Sequence, residues 1–278
     1  MPAVLAVRAP RSSFDIRVIL PAALLVTVLL APFIPLILWS FSRGWYFPAL
    51  VPKWSLAAWA AAFHPASGIP QAIATSLLIA IVTTALSLAI ALLAAKSLTQ
   101  CRFSGRTWVL ALLLAPAVVP ALAVAMGLHA VALRLGLTGT IAGVVVVHLI
   151  PAMPYAVVVL SAVLRNHDPS FEAAARSLGA SKAQVFRHVT LPMLAPGVAV
   201  AGALVFLVSW SQYTLTLLIG GGRVITLPLI LTQFAGAGRN DIAGVVAILT
   251  ILPGALVLAL AAPHLSKIRP RRARVGRS

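Results

Sequence analysis

Residues 68–95 read GIPQAIATSLLIAIVTTALSLAIALLAA, a run without a single Asp, Glu, Lys or Arg. Such a run exceeds the roughly 18 apolar residues that separate a membrane-spanning helix from a helix buried in a soluble core. Coiled as an α-helix, it satisfies its own backbone N–H and C=O groups in hydrocarbon, where no water can do so. Five further stretches, 18–41, 108–133, 141–164, 192–218 and 242–266, are equally free of charge. The short alternating segments of a β-barrel are absent from the sequence. The expected fold is therefore an all-α polytopic membrane protein with six transmembrane helices. Composition agrees, with 61% hydrophobic residues, 9% charged residues and a mean hydropathy of +1.06. The first stretch is too long for a signal peptide and lacks a small-residue cleavage site, so it reads as a retained span, with Pro21 and Pro35 as candidate kinks.

Six spans put both termini on one side, and the 21 basic residues say which. Sixteen fall on the side of the termini and of the second and fourth loops, against five, Arg43, Lys53, Arg134, Arg223 and Arg239, on the other. The positive-inside rule then places both termini in the cytoplasm. The same rule accounts for the net charge of +17 and for the basic tail 266–278, which meets anionic headgroups of the lipid bilayer rather than nucleic acid. Cys101 is the single cysteine and has no disulfide partner in the chain.

Missing residues narrow the mechanism. All four acids, Asp15, Asp168, Glu172 and Asp241, lie outside the expected spans, where an ion-coupled carrier would need one. Two histidines, His129 and His148, fall at membrane depth; each reads either as a proton relay or as a hydrogen-bonding group between helices. No phosphate-binding G-x-x-x-x-G-K-[ST] loop is present, and no Ser, His and acid constellation suggests an enzyme. Energy for transport would have to enter through a partner.

The longest loop on the basic side, 165–191, is where such a partner would engage. Asp168-Pro169 has the form of a helix start, and Glu172-Ala173-Ala174-Ala175 continues it to Leu178. Gly179 then stands where a helix C-terminus needs a left-handed residue. Ser181 with Gln184 forms a capping box that starts a second helix, expected to run to about His188 before Pro192 opens the fifth span. Small residues on one face of this helix pair permit close packing into a groove on another protein. The competing reading is a pair of helices that lies on the membrane surface.

This segment resembles the EAA loop of binding-protein-dependent ABC transporter permeases, whose pattern is E-A-A, three residues, Gly, nine residues, Ile-x-Leu-Pro. Here Gly179 is followed after nine residues by Val189-Thr190-Leu191-Pro192, and Ala174-Ala175-Arg176-Ser177-Leu178-Gly179-Ala180-Ser181 is similar to the core of that loop. The family glutamate position is held by Ala173, with Glu172 one residue earlier. One residue turns a helical side chain by about 100°, so Glu172 reads either as a cap of the helix start or as the partner of a different basic residue.

The resemblance covers roughly residues 70–265, after a tail at 1–17 and a first span with its outer loop at 18–69. It implies a type I importer fold in which two permease subunits, the same chain or a related one, cross the bacterial inner membrane together. It also implies a cytoplasmic ATPase dimer that binds ATP and Mg, with no cofactor in this chain, and an extracytoplasmic solute-binding protein. Residues Glu172, Ala174, Ala175, Gly179, Ala180, Ser181, Leu191 and Pro192 would then form the ATPase-docking loop. The stretches Phe41-Ser42-Arg43-Gly44-Trp45-Tyr46-Phe47-Pro48, Ser209-Trp210-Ser211-Gln212-Tyr213, Gly220-Gly221-Gly222 and Thr226-Leu227-Pro228 look like the polyamine, iron and thiamine branch.

In the fifth span Ser209, Gln212, Tyr213 and Thr216 follow the i, i+3, i+4, i+7 spacing of one helix face. That stripe reads as the lining of a path for a polar solute, or as groups near the outer interface, where Tyr and Trp are common. A gradient-driven transporter or channel without an ATPase is the alternative function.

Overall fold

Proline sets most of the breaks in the apolar runs, and so decides how many helices the six expected spans become. In the computed structural model, which describes residues 16–46, 48–166, 168 and 170–265, the first run is two helices bent by 45°, α1 (Ile16–Leu30) and α2 (Phe33–Ser40). Pro35 has no N–H to offer the Ala31 carbonyl, which accepts instead from the Ile34 N–H at 3.2 Å. Pro21, the other candidate kink, sits inside α1 without interrupting it. The short α3 (Ala57–Phe63) leads to α4 (Ile69–Gln100), which carries the run quoted above and continues past Lys96. The basic tail and residues 1–15 lie outside the described residues, as does Pro169.

The third run is not the single helix expected over 108–133. It forms α5 (Arg106–Val118) and α6 (Ala121–Arg134), related by about 100° across Val119 and Pro120. Pro116 and Pro120 remove two backbone donors one turn apart, and Pro120 drives Val119 into extended backbone with ψ 138°. By contrast α7 (Ile141–Arg165) stays continuous through Pro151 and Pro154; the Thr140 side chain caps its start by accepting the Gly143 N–H at 3.0 Å.

The fifth run departs from expectation at both ends. After α8 (Ser170–Ser177), α9 (Lys182–Val185) passes through a π turn at Phe186–Thr190 directly into α10 (Leu191–Trp210). No break falls at Pro192: the wide turn ahead of it makes room for a ring that would clash with a carbonyl four residues back in a regular helix. The run then breaks after Trp210 and resumes as α11 (Thr214–Gly220), followed by α12 (Leu227–Gly236) and α13 (Asn240–Leu265). Among the described residues there are thus four helices long and apolar enough to span, or six spans when each of the two bent pairs is one.

Helices α4, α7 and α10 pack on one another through fully buried Ala91, Ala95, Ala152, Ala156 and Ala201. Between lipid-embedded helices, close approach rather than water exclusion supplies the attraction, and small side chains permit it. Gly197 on α10 faces Val163 on α7 so closely that a Cβ there would overlap it. At the other end of the chain α13 packs against α2, where a Cβ on Gly244 would lie 2.5 Å from the Leu36 carbonyl oxygen. Leucines such as Leu93, Leu112 and Leu260 face outward, as a hydrocarbon solvent permits.

Candidate functional site

Two groups of residues stand out, one at each end of the α9–α10 rod. At the first, the Asp168 carboxylate accepts the Ser170 N–H at 3.0 Å and α8 begins. It ends in a paired closure: the Gly179 N–H donates to Arg176 O and the Ala180 N–H to Ala175 O, at 3.0 and 3.1 Å. Gly179 has φ +84°, a backbone state that a side chain would strain. Ser181 and Gln184 then cap each other reciprocally, at 2.8 and 3.3 Å, and start α9. Leu178 is 89% exposed at the tip. Ala175, Gly179 and Ala180 line a shallow hollow beside it, while Ala174, Ser181, Leu191 and Pro192 are exposed. An apolar tip next to small residues is a surface suited to burial in another protein.

Glu172 does neither of the two expected things alone. Its Oε2 accepts from the Arg176 guanidinium at 3.1 Å, one helical turn along. Its Oε1 accepts the Thr190 hydroxyl at 2.7 Å, across 18 residues. The carboxylate therefore fastens α8 to the π turn at the foot of α10.

At the second group the expected single stripe is divided. Ser209 lies in the last turn of α10, Gln212 and Tyr213 lie in the break, and Thr216 is on α11, so the four do not share one helix face. Ser209 and Thr216 are nevertheless brought together by His148 on α7, which is 1% exposed. Its Nδ1 lies 3.0 Å from Ser209 Oγ and its Nε2 3.0 Å from Thr216 Oγ1. The Thr216 hydroxyl spends its one proton on the Gln212 carbonyl, at 3.0 Å. Thr216 Oγ1 must then accept from Nε2–H, which leaves Nδ1 to accept the Ser209 O–H. His148 thus follows the interhelical hydrogen-bonding reading, and it bridges the break in the fifth span. Trp210 fixes the same point from the other side by donating to Thr250 O on α13, at 2.8 Å. Gln212 is half-buried and Tyr213 exposed.

Residues 87–268, which take in both groups, match the family described as binding-protein-dependent transport system inner membrane component. The chain belongs to this family. As an inner membrane component it is a multi-pass protein of the bacterial inner membrane. It is 28% identical over 172 residues to the trehalose transport system permease protein SugB of Mycobacterium tuberculosis, across 62% of this chain and 63% of the relative, just under two thirds of that protein's length. Over 243 residues it is 29% identical to the putrescine transport system permease protein PotI of Escherichia coli, across 83% of each chain. Among solved structures, a bacterial ABC transporter involved in the import of the acidic polysaccharide alginate has the same fold, with a TM-score of 0.69, 19% identity, and coverage of 95% of this chain and 99% of the other.

In this inner membrane component two of these contacts escape the sequence. Thr190 is a plain member of the Val-Thr-Leu-Pro segment until the π turn presents it to Glu172. His148 stands out as a buried polar residue, but its partners are legible only once the break after Trp210 is seen.

Proposed function

We propose that the chain is the translocating permease subunit of an ATP-binding-cassette importer, moving a small polar solute that an extracytoplasmic binding protein delivers. The observation that carries this reading is the rigid, reciprocally capped helix pair around Gly179, within the family match and fused to a transmembrane helix. In this reading loop 165–191 docks on a cytoplasmic ATPase, both termini face the cytoplasm, and a second permease, identical or related, completes the path. ATP and Mg are bound, and ATP is hydrolysed, in the partner, so this chain is not itself the enzyme.

The α9–α10 rod gives the reading its mechanics. Lys182–Trp210 spans 29 residues, about 43 Å at 1.5 Å per residue. Nucleotide-driven movement of the docked loop pushes one end, and the other end carries Ser209 and its bond to His148. Glu172 and Thr190 make the loop move with the rod rather than about it. Gln212 and Tyr213, in the break, are the groups of the stripe left to face a solute.

The test is uptake by the native complex together with recovery of a phosphate-loop ATPase after solubilisation. Gly179→Trp should abolish both while membrane abundance is preserved. Normal uptake with that variant defeats the docking reading, and uptake that stops when the proton gradient is collapsed at constant ATP moves the function to a gradient-driven carrier.

A further inference from the structure

Where α4 and α7 reach the loop, they leave a cavity of about 490 Å³ against α8, α9 and the π turn. This lies within the roughly 300–1,000 Å³ typical of small-molecule sites. Part of its wall is apolar: Leu164, Val185 and Leu194 lie within it, and Leu93 and Phe186 remain 70% and 50% exposed. The rest is charged. Lys96 comes from the last turns of α4, Lys182 from the start of α9, and Arg176 and Glu172 from α8. Glu172 is already held by Arg176 and Thr190, and among the described residues neither lysine meets a carboxylate within ion-pair distance. Two cations from different elements, neither in an ion pair among the described residues, therefore stand beside a greasy wall, on the face that the basic residues assign to the cytoplasm.

We infer that this cavity binds an anionic phospholipid of the cytoplasmic leaflet, its phosphate between Lys96 and Lys182 and its acyl chains along Leu93 and Phe186. Basic recesses between transmembrane helices on that side suit such headgroups. A soluble phosphate would satisfy the lysines but leave the leucine and phenylalanine surface wet, and a zwitterionic lipid would not neutralise the lysines. Because Glu172, Lys182 and Phe186 belong to the loop, the lipid braces the docking element against the bundle. The site goes beyond the importer reading and shares with it only the orientation that the basic residues assign.

The experiment is native mass spectrometry of the complex purified from its own membrane, delipidated and titrated with phosphatidylglycerol or phosphatidylcholine. The wild type should retain phosphatidylglycerol preferentially. At about fivefold per basic side chain, Lys96→Gln with Lys182→Gln should weaken that retention roughly 25-fold, while Lys96→Arg with Lys182→Arg keeps most of it. Arg102→Gln with Arg106→Gln removes the same charge away from the cavity and should leave retention near the wild-type level. Equal retention of the two lipids, equal loss in both glutamine pairs, or displacement of the lipid by equimolar inorganic phosphate overturns the inference. Recovery of the ATPase with the wild type, scored in the same preparation, reports separately on the importer reading.

Discussion

Glu172 stands one residue before the position that the sequence pattern reserves for a glutamate, yet its two oxygens are both used in bonds that hold the loop together. The bond to Arg176 is an exposed one-turn pair and is worth at most about 0.5 kcal/mol. The bond from Thr190 is partly buried and joins two elements, so it should dominate, at about 1.5–3 kcal/mol for a hydrogen bond to a charged acceptor. Thr190→Val should therefore loosen the loop more than Arg176→Gln does, read as faster amide exchange over 170–185; equal exchange in the two variants would refute the clamp. His148 offers a sharper test. His148→Leu strands the buried Ser209 hydroxyl, whereas Thr216 keeps its bond to the Gln212 carbonyl, and should cost about 1–3 kcal/mol. Adding Ser209→Ala removes the stranded group and should recover most of the loss in thermal stability. A double variant no more stable than the single would show that packing, not hydrogen bonding, sets the value of His148.

At the scale of elements, the apolar runs, the Ser181 capping box and the left-handed Gly179 were legible because each follows from local chemistry, and the structure repeats them. The breaks were not. Pro120 ends a helix whereas Pro151 and Pro154 do not, since α7 is buried among neighbours that hold it straight and the α5–α6 turn is not. The break at Ser211–Tyr213 contains neither Pro nor Gly, so no propensity announces it; the tertiary bonds of Trp210 and His148 do. Continuity of α9 with α10 was hidden for the opposite reason, because Pro192 looked like a start and the π turn absorbs it. That continuity predicts a phase effect. Inserting one alanine after Val189 rotates the loop by about 100° relative to α10, whereas inserting four nearly restores the register. Uptake should be abolished by the first and partly restored by the second, at equal membrane abundance; equal activity of both insertions would mean that the loop moves independently of the rod.

For the whole molecule, the arrangement of charge decides which face meets the cytoplasm, and a single native thiol makes that testable. Cys101 is exposed just past α4, at the same end as Lys96 and the loop. Leu50, 87% exposed in the connection between α2 and α3, belongs to the opposite face. With sixteen of 21 basic residues on the Cys101 side, the positive-inside rule predicts that this side faces the cytoplasm, because moving a cationic loop across the membrane against its potential is costly. In intact spheroplasts a membrane-impermeant maleimide should leave Cys101 unlabelled until the membrane is permeabilised. In a Cys101→Ser background, Leu50→Cys should label at once. Labelling in the reverse order would invert the orientation and remove the loop from reach of any cytoplasmic ATPase. It would also place the Lys96–Lys182 cavity in the outer leaflet, so the docking reading and the lipid site share this one geometric condition.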